Sequence, residues 1–84
     1  MAEYDALSGM SQVACSIKKE SIPGKDPAHG CGHNLLGTGV IGAAYATAEY
    51  LKATGKSGTV IYFGCPAEET GSGKTFMVRE GIFD

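Results

Sequence analysis

Apolar positions change their spacing along this 84-residue chain, and each change marks an element. From Asn34 onward, Leu36, Val40, Ala43, Ala44, Ala48 and Leu51 recur at steps of three to four residues, the signature of one apolar helix face. Thr47, Glu49 and Lys52 fall off that stripe. Asn34 can cap the start by accepting from a free first-turn amide, and Gly55 suits a C-terminal stop, so the pattern predicts a helix over 34–55. Gly37, Gly39 and Gly42 each weaken that helix by up to about 1 kcal/mol relative to Ala. Close packing on a neighbouring strand would offset the cost. Thr59-Val60-Ile61-Tyr62-Phe63 is then β-branched, aromatic and apolar at nearly every position. This predicts a strand over 59–64 covered on both faces, as in a parallel sheet, with Pro66 ending it. Residues 72–80 read as a second helix, with Phe76 and Met77 as its apolar face and Gly81 as its stop. Helix, strand, loop and helix in that order predict an α/β fold.

The first thirty residues carry no such period. Ser21-Ile22-Pro23-Gly24-Lys25-Asp26-Pro27 is a loop signal, and 1–30 reads as a strand end and loop. Within it, 11–19 could form a short helix with Val13, Ile17 and Cys15 facing inward. No strand is expected before Glu3. Both ends look cut, since the final Gly81-Ile82-Phe83-Asp84 stands where a new strand would begin, so the chain reads as the middle of something larger.

Composition narrows the class of function. Seven Lys plus Arg against nine Asp plus Glu give a net charge of −2, too neutral for a nucleic-acid partner, and no basic cluster exceeds Lys18-Lys19. Hydrophobic residues at 43% against 19% charged describe a folded chain. No apolar run approaches a membrane span, and no signal-peptide order is present. Three cysteines, an odd number, do not make a disulfide framework, so a reducing cytoplasmic setting is expected. Thirteen glycines, about twice the average share, point to close backbone approaches or binding loops.

Two chemistries compete. Gly71-Ser72-Gly73-Lys74-Thr75 lies between a strand and a helix, as a phosphate-binding loop would. The full pattern requires Gly where Glu68 stands, and a carboxylate there opposes an anion cradled by backbone amides. The alternative is a metal site. His29-Gly30-Cys31-Gly32-His33 places three borderline ligands in five residues, and Glu68-Glu69 follows a strand and a proline. Carboxyl ends of strands are where open α/β sheets bind ligands. Thiolate, imidazole and carboxylate together suit zinc, manganese or a similar ion. Of two adjacent carboxylates, one can ligate while the other serves as general base toward a water. The bland readings are a Cys-Gly-His triplet in an ordinary glycine-rich loop and a solvated Glu-Glu pair. Cys65 reads as a small core residue, Tyr45 and Tyr50 as helix packing, and Lys74 as a surface residue within reach of a substrate carboxylate.

These same residues carry a resemblance. His29-Gly30-Cys31-Gly32-His33-Asn34-Leu35-Leu36-Gly37-Thr38 resembles the metal-binding motif of the aminoacylase and carboxypeptidase-G-like metallohydrolases. Within them it is similar to the branch of aminobenzoyl-glutamate, indole-acetyl-amino-acid and hippurate amidohydrolases. Glu3-Tyr4-Asp5-Ala6-Leu7, Cys65-Pro66-Ala67-Glu68-Glu69 and the stretch from Gly71 to Asp84 match further motifs in the same order, so the resemblance covers nearly the whole chain. It implies a zinc-peptidase-like, three-layer catalytic domain, incomplete here, with helices on a mainly parallel sheet. It also implies hydrolysis of an N-acyl or N-aroyl amino acid, such as aminobenzoyl-glutamate, with two divalent ions (Mn or Zn). Carried over by position, Cys31, His33 and Glu69 are metal ligands and Glu68 is the catalytic base. Asp5 and His29 act from behind the ligands. Asn34 and Leu36 depart from relatives that read Cys-Gly-His-Asp-x-His.

The family carries further histidines and an inserted dimerising domain, whereas His29 and His33 are the only histidines here. The expectation is therefore a fragment of the catalytic domain, residues 1–84, with little activity of its own, part of a larger chain or a homo-oligomer. The competing expectation is a non-catalytic truncated remnant that acts through oligomerisation.

Overall fold

The computed structural model describes all 84 residues. In chain order the elements are strand β1 (Ala2–Glu3), helix α1 (His33–Thr54), strand β2 (Gly64–Cys65), helix α2 (Glu68–Gly71) and helix α3 (Gly73–Arg79). β1 and β2 form a two-stranded parallel sheet in which Ala2 stands opposite Gly64 and Glu3 opposite Cys65. Ala2 and Cys65 are fully buried there. Helix α1 crosses behind β1, where Gly37 is buried against it. A Cβ at Gly37 would stand 3.5 Å from the Glu3 carbonyl oxygen. One of the three helix glycines thus has the packing reason that the sequence suggests, while Gly39 and Gly42 face open space.

α1 matches the predicted helix to within a residue at each end, and Gly55 closes it with φ 65° and its N–H on the Leu51 and Lys52 carbonyls. The start differs. Gly32 in the left-handed conformation (φ 97°) is the cap, with no side-chain hydrogen bond. Asn34 lies inside the helix, where its carbonyl accepts from the Thr38 hydroxyl at 2.7 Å. A left-handed turn at glycine costs nothing sterically, and it brings His33 into the helix one residue early. The apolar stripe is only half covered: Val40, Ala44 and Leu51 are half-buried, while Leu36, Ala43 and Ala48 are exposed. Tyr45 and Tyr50 do not pack inward either. Both are exposed, and Tyr50 accepts from Lys56 at 3.1 Å.

The predicted strand over 59–64 shrinks to Gly64–Cys65. Val60, Ile61 and Tyr62 are exposed and unpaired. A strand exists only beside a partner, and β1 offers just two residues to pair. That β1 is itself a strand corrects the expectation of none before Glu3. The second helix is α3, and it begins one residue late and ends at Arg79, with Gly81 left-handed beyond it (φ 69°). Met77 is half-buried, but Phe76 is exposed beneath the Arg79 guanidinium. The single-turn α2 carries no periodic signal, because four residues are too few to show one.

Residues 11–19 form no helix. Leu7 bridges Ala28 in antiparallel fashion, and the Val13 N–H donates to the Glu20 carbonyl at 2.7 Å. The Gln12 side chain donates to the Lys18 carbonyl at 2.8 Å and accepts from the Glu20 N–H at 3.1 Å. The Ser16 hydroxyl donates to the Lys18 carbonyl at 2.8 Å. These side chains supply the backbone partners that a helix would have supplied internally, and Ile17, expected inward, stands fully exposed.

Candidate metal centre

Three segments meet beside the carboxyl ends of β1 and β2. Asp5 lies two residues past the end of β1, Cys31 and His33 flank the left-handed Gly32 at the start of α1, and Glu68 and Glu69 open α2. The Cys31 thiol, a His33 ring nitrogen and a Glu69 carboxylate oxygen lie within 4.8 Å of one another. The loop conformation that permits this is specific. Ala67 and Ser72 bracket α2 in the left-handed region, at φ 53° and 50°. Such positions cost a non-glycine residue roughly 1–2 kcal/mol each. Gly73 follows, where a Cβ would meet the Pro66 carbonyl oxygen at 2.0 Å, so only glycine closes this turn.

His33 is 6% exposed, and its Nδ1 lies 3.1 Å from both the backbone oxygen and the Oδ1 of Asp5. Nδ1 therefore carries the proton and donates, an assignment made from these two acceptors. Nε2 keeps its lone pair and points at the acidic pair, 3.7 Å from Glu68 Oε2 and 3.9 Å from Glu69 Oε1. The other oxygen of Asp5 accepts the Glu69 N–H at 3.0 Å. That bond is the main reason the Asp5 carboxyl is held below its ordinary 3.8, against an opposing effect of desolvation. Asp5 thus fixes the ring of one residue and the backbone of another.

Glu69 Oε1 is the chain's single buried side-chain oxygen without a hydrogen-bond partner. An unsatisfied buried acceptor costs about 1–3 kcal/mol, and a cation is the direct remedy. The Cys31 thiol is pushed above its ordinary 9.0, chiefly by the neighbouring Glu69 carboxylate through hydrogen bonding and then through its charge. A positive ion between them would reverse that effect. The donor set of sulfur, nitrogen and oxygen fits a borderline divalent ion, and Glu69, one of the three, carries the orphaned oxygen. The residues present therefore fit a metal.

Glu68 stands beside the cluster with its side chain 45% exposed, open to an incoming substrate. His29 is exposed and makes no side-chain hydrogen bond, so nothing ties it to the group. Lys74 pairs with Glu3, which engages the amine that a phosphate-binding loop would need free. Glu3 is a site residue that the sequence does not single out. Its spacing of two from Asp5, which places both carboxylates on one face of an extended segment, is the signal that could have pointed to it.

The profile of the family described as Peptidase family M20/M25/M40 matches residues 1–84. The chain is 55% identical over all 84 of its residues to a subunit of p-aminobenzoyl-glutamate hydrolase from Escherichia coli, and spans 18% of that protein. It is 37% identical over 83 residues to IAA-amino acid hydrolase ILR1-like 5 of Arabidopsis thaliana, covering 99% of this chain and again 18% of the relative. Over 75 residues it is 35% identical to Xaa-Arg dipeptidase of Mus musculus, covering 87% of this chain and 17% of that one. No solved structure matches.

Proposed function

The chain belongs to peptidase family M20/M25/M40, and on that premise we propose that it supplies part of the metal centre of an amidohydrolase. Its substrate is an N-acyl or N-aroyl amino acid, of which p-aminobenzoyl-glutamate, named for the relative at 55% identity, is the leading case. The observation that carries the reading is the convergence of Cys31, His33 and Glu69 to within 4.8 Å of one another, with Glu69 Oε1 left unsatisfied. Cys31, His33 and Glu69 would hold a divalent ion, manganese or zinc, one of the two expected from the family resemblance. A metal held by these three residues would supply Lewis acidity, lowering the pKa of a water and polarising the scissile carbonyl.

The chain's own residues do the rest. Asp5 holds His33 in the tautomer whose Nε2 is free, as a carboxylate behind a ligating histidine does. Glu68 accepts the proton of the attacking water at its carboxylate and returns it to the leaving amine nitrogen. Half-exposed and 3.7 Å from His33 Nε2, it stands between solvent and the cluster. His29 has the weakest claim among the expected site residues.

We read the chain as one segment, 1–84, of a three-layer catalytic domain that is incomplete here. It offers three ligands where two ions need more, so turnover by the 84 residues alone is expected to be negligible. The bacterial relative is named as one subunit of its hydrolase, which favours work within a larger assembly. No helix is long and apolar enough to cross a membrane.

A chimera tests the proposal. The Escherichia coli relative would receive these 84 residues in place of its own matching segment. Hydrolysis of p-aminobenzoyl-glutamate is expected to survive, and Glu68→Gln in the chimera to reduce it by roughly 10²- to 10⁴-fold. A folded chimera without activity, or one indifferent to Glu68→Gln, would contradict the assignment.

A further inference from the structure

The turn that carries Glu68 and Glu69 is strained at both ends. Ala67 and Ser72 are left-handed without being glycine, and Gly73 sits where any Cβ would collide with the Pro66 carbonyl. Such conformations persist only where surrounding structure over-determines them. Neither α2 nor α3 has a side-chain cap at its start, so no capping side chain accounts for the persistence.

The sheet supplies two restraints instead. Asp5 accepts the Glu69 N–H at the front of the turn. Glu3, two residues earlier, forms an ion pair with Lys74 at its rear. The stretch from Glu69 to Lys74 is thus clasped at both ends by carboxylates at alternate positions of one extended segment. The rear pair is partly sheltered, with side chains 34% and 19% exposed, and it joins positions 71 apart in sequence.

We propose that the Glu3–Lys74 ion pair is a positioning device for the metal centre. It closes the rear of the turn, so that the Glu69 carboxylate is held toward His33 and Cys31 and Glu68 is held beside them. The inference rests on the metal reading above for its consequence, though not for its mechanical part. Glu3 and Lys74 lie outside the group formed by Cys31, His33 and Glu69, and act through the backbone between them.

The test uses the 84-residue chain with Glu3→Gln, Lys74→Met and the charge swap Glu3→Lys with Lys74→Glu. Amide hydrogen exchange at Gly71 and Gly73, whose N–H groups donate to the Ala67 carbonyl at 3.1 and 3.2 Å, reports the turn. Amides of α1 report the rest of the fold. Cobalt(II) titration, followed through the thiolate-to-cobalt absorption band, reports the centre. Each single substitution is expected to speed exchange at Gly71 and Gly73 at least about tenfold with α1 unchanged. Each is also expected to weaken cobalt binding about tenfold, the low end of what outer-shell partners of a metal ligand contribute. The swap is expected to restore both. Glu3→Gln preserves the side-chain volume, so it removes little besides the charge.

Unchanged exchange in both single variants, or a swap that restores neither readout, would overturn the inference. Absence of cobalt binding by the unsubstituted chain would count against the metal reading, and exchange alone would then decide whether the pair holds the turn.

Discussion

Asp5 is the residue through which the cluster is organised, since one carboxylate touches the His33 ring and the Glu69 backbone. Asp5→Ala is expected to lower zinc affinity about ten- to a hundredfold, measured by competition with a chromophoric chelator. An unchanged affinity would deny Asp5 that role. The Glu3–Lys74 pair gives a pH signature. Lys74 holds Glu3 below its ordinary 4.5, so that contribution to stability is full above 4.5 and fades as pH falls through the folded value. Glu3 holds Lys74 above its ordinary 10.5, so that contribution is full below 10.5 and fades as pH rises through the folded value. Thermal unfolding of the chain and of Glu3→Gln should therefore differ between these limits and converge outside them. Among single residues, the sequence is informative where candidate ligands sit close together. Cys31 and His33 stand out by spacing, and Glu68 and Glu69 by adjacency and family resemblance. Glu3 and Lys74 do not, because nothing local marks a partnership across 71 positions.

Among the elements, glycines separate local cost from tertiary need. Gly39 lies in α1 with nothing within 4 Å of where a Cβ would stand. Gly39→Ala should stabilise the chain by about 0.5–1 kcal/mol, read from chemical denaturation. Gly73→Ala should do the reverse by about 1–3 kcal/mol, because its Cβ would collide with the Pro66 carbonyl at 2.0 Å. Equal effects of the two would contradict the packing described here. Helix α1 was legible because it spans six turns of steady period and ends on a left-handed glycine. The strand over 59–64 was legible in composition but not in extent, because extent is set by the two residues of β1 that lie alongside. The helix expected over 11–19 failed because Gln12 and Ser16 satisfy the backbone locally, an alternative that a hydrophobic pattern does not reveal.

As a whole molecule, the chain is a slab of 52 × 32 × 17 Å with a radius of gyration of 17.2 Å. A compact domain of this length would have about 12 Å. Only 6 of 84 residues are buried, and Leu35, Ile41, Ile61, Phe76 and Ile82 stand among the exposed apolar side chains. Elements this thinly covered gain most of their stability from whatever packs on them. The segment Val60-Ile61-Tyr62 adds an open, apolar edge, and such edges promote association. Sedimentation velocity is expected to show concentration-dependent association of the chain, reduced by Ile61→Lys. A monomer at all concentrations would count against that association. The α/β class was legible from the order of elements, but the bareness of the slab was not, because hydrophobic periodicity records which face wants cover and not whether cover is present.

Everything proposed for the chemistry depends on Cys31, His33 and Glu69 forming a metal site, and bound metal can be counted. The chain would be purified, exposed to zinc or manganese, freed of excess and analysed for bound element beside Cys31→Ser and Glu69→Ala. Metal is expected in the unsubstituted chain and lost in both variants. Metal retained equally by all three, or absent from all three, would refute the site.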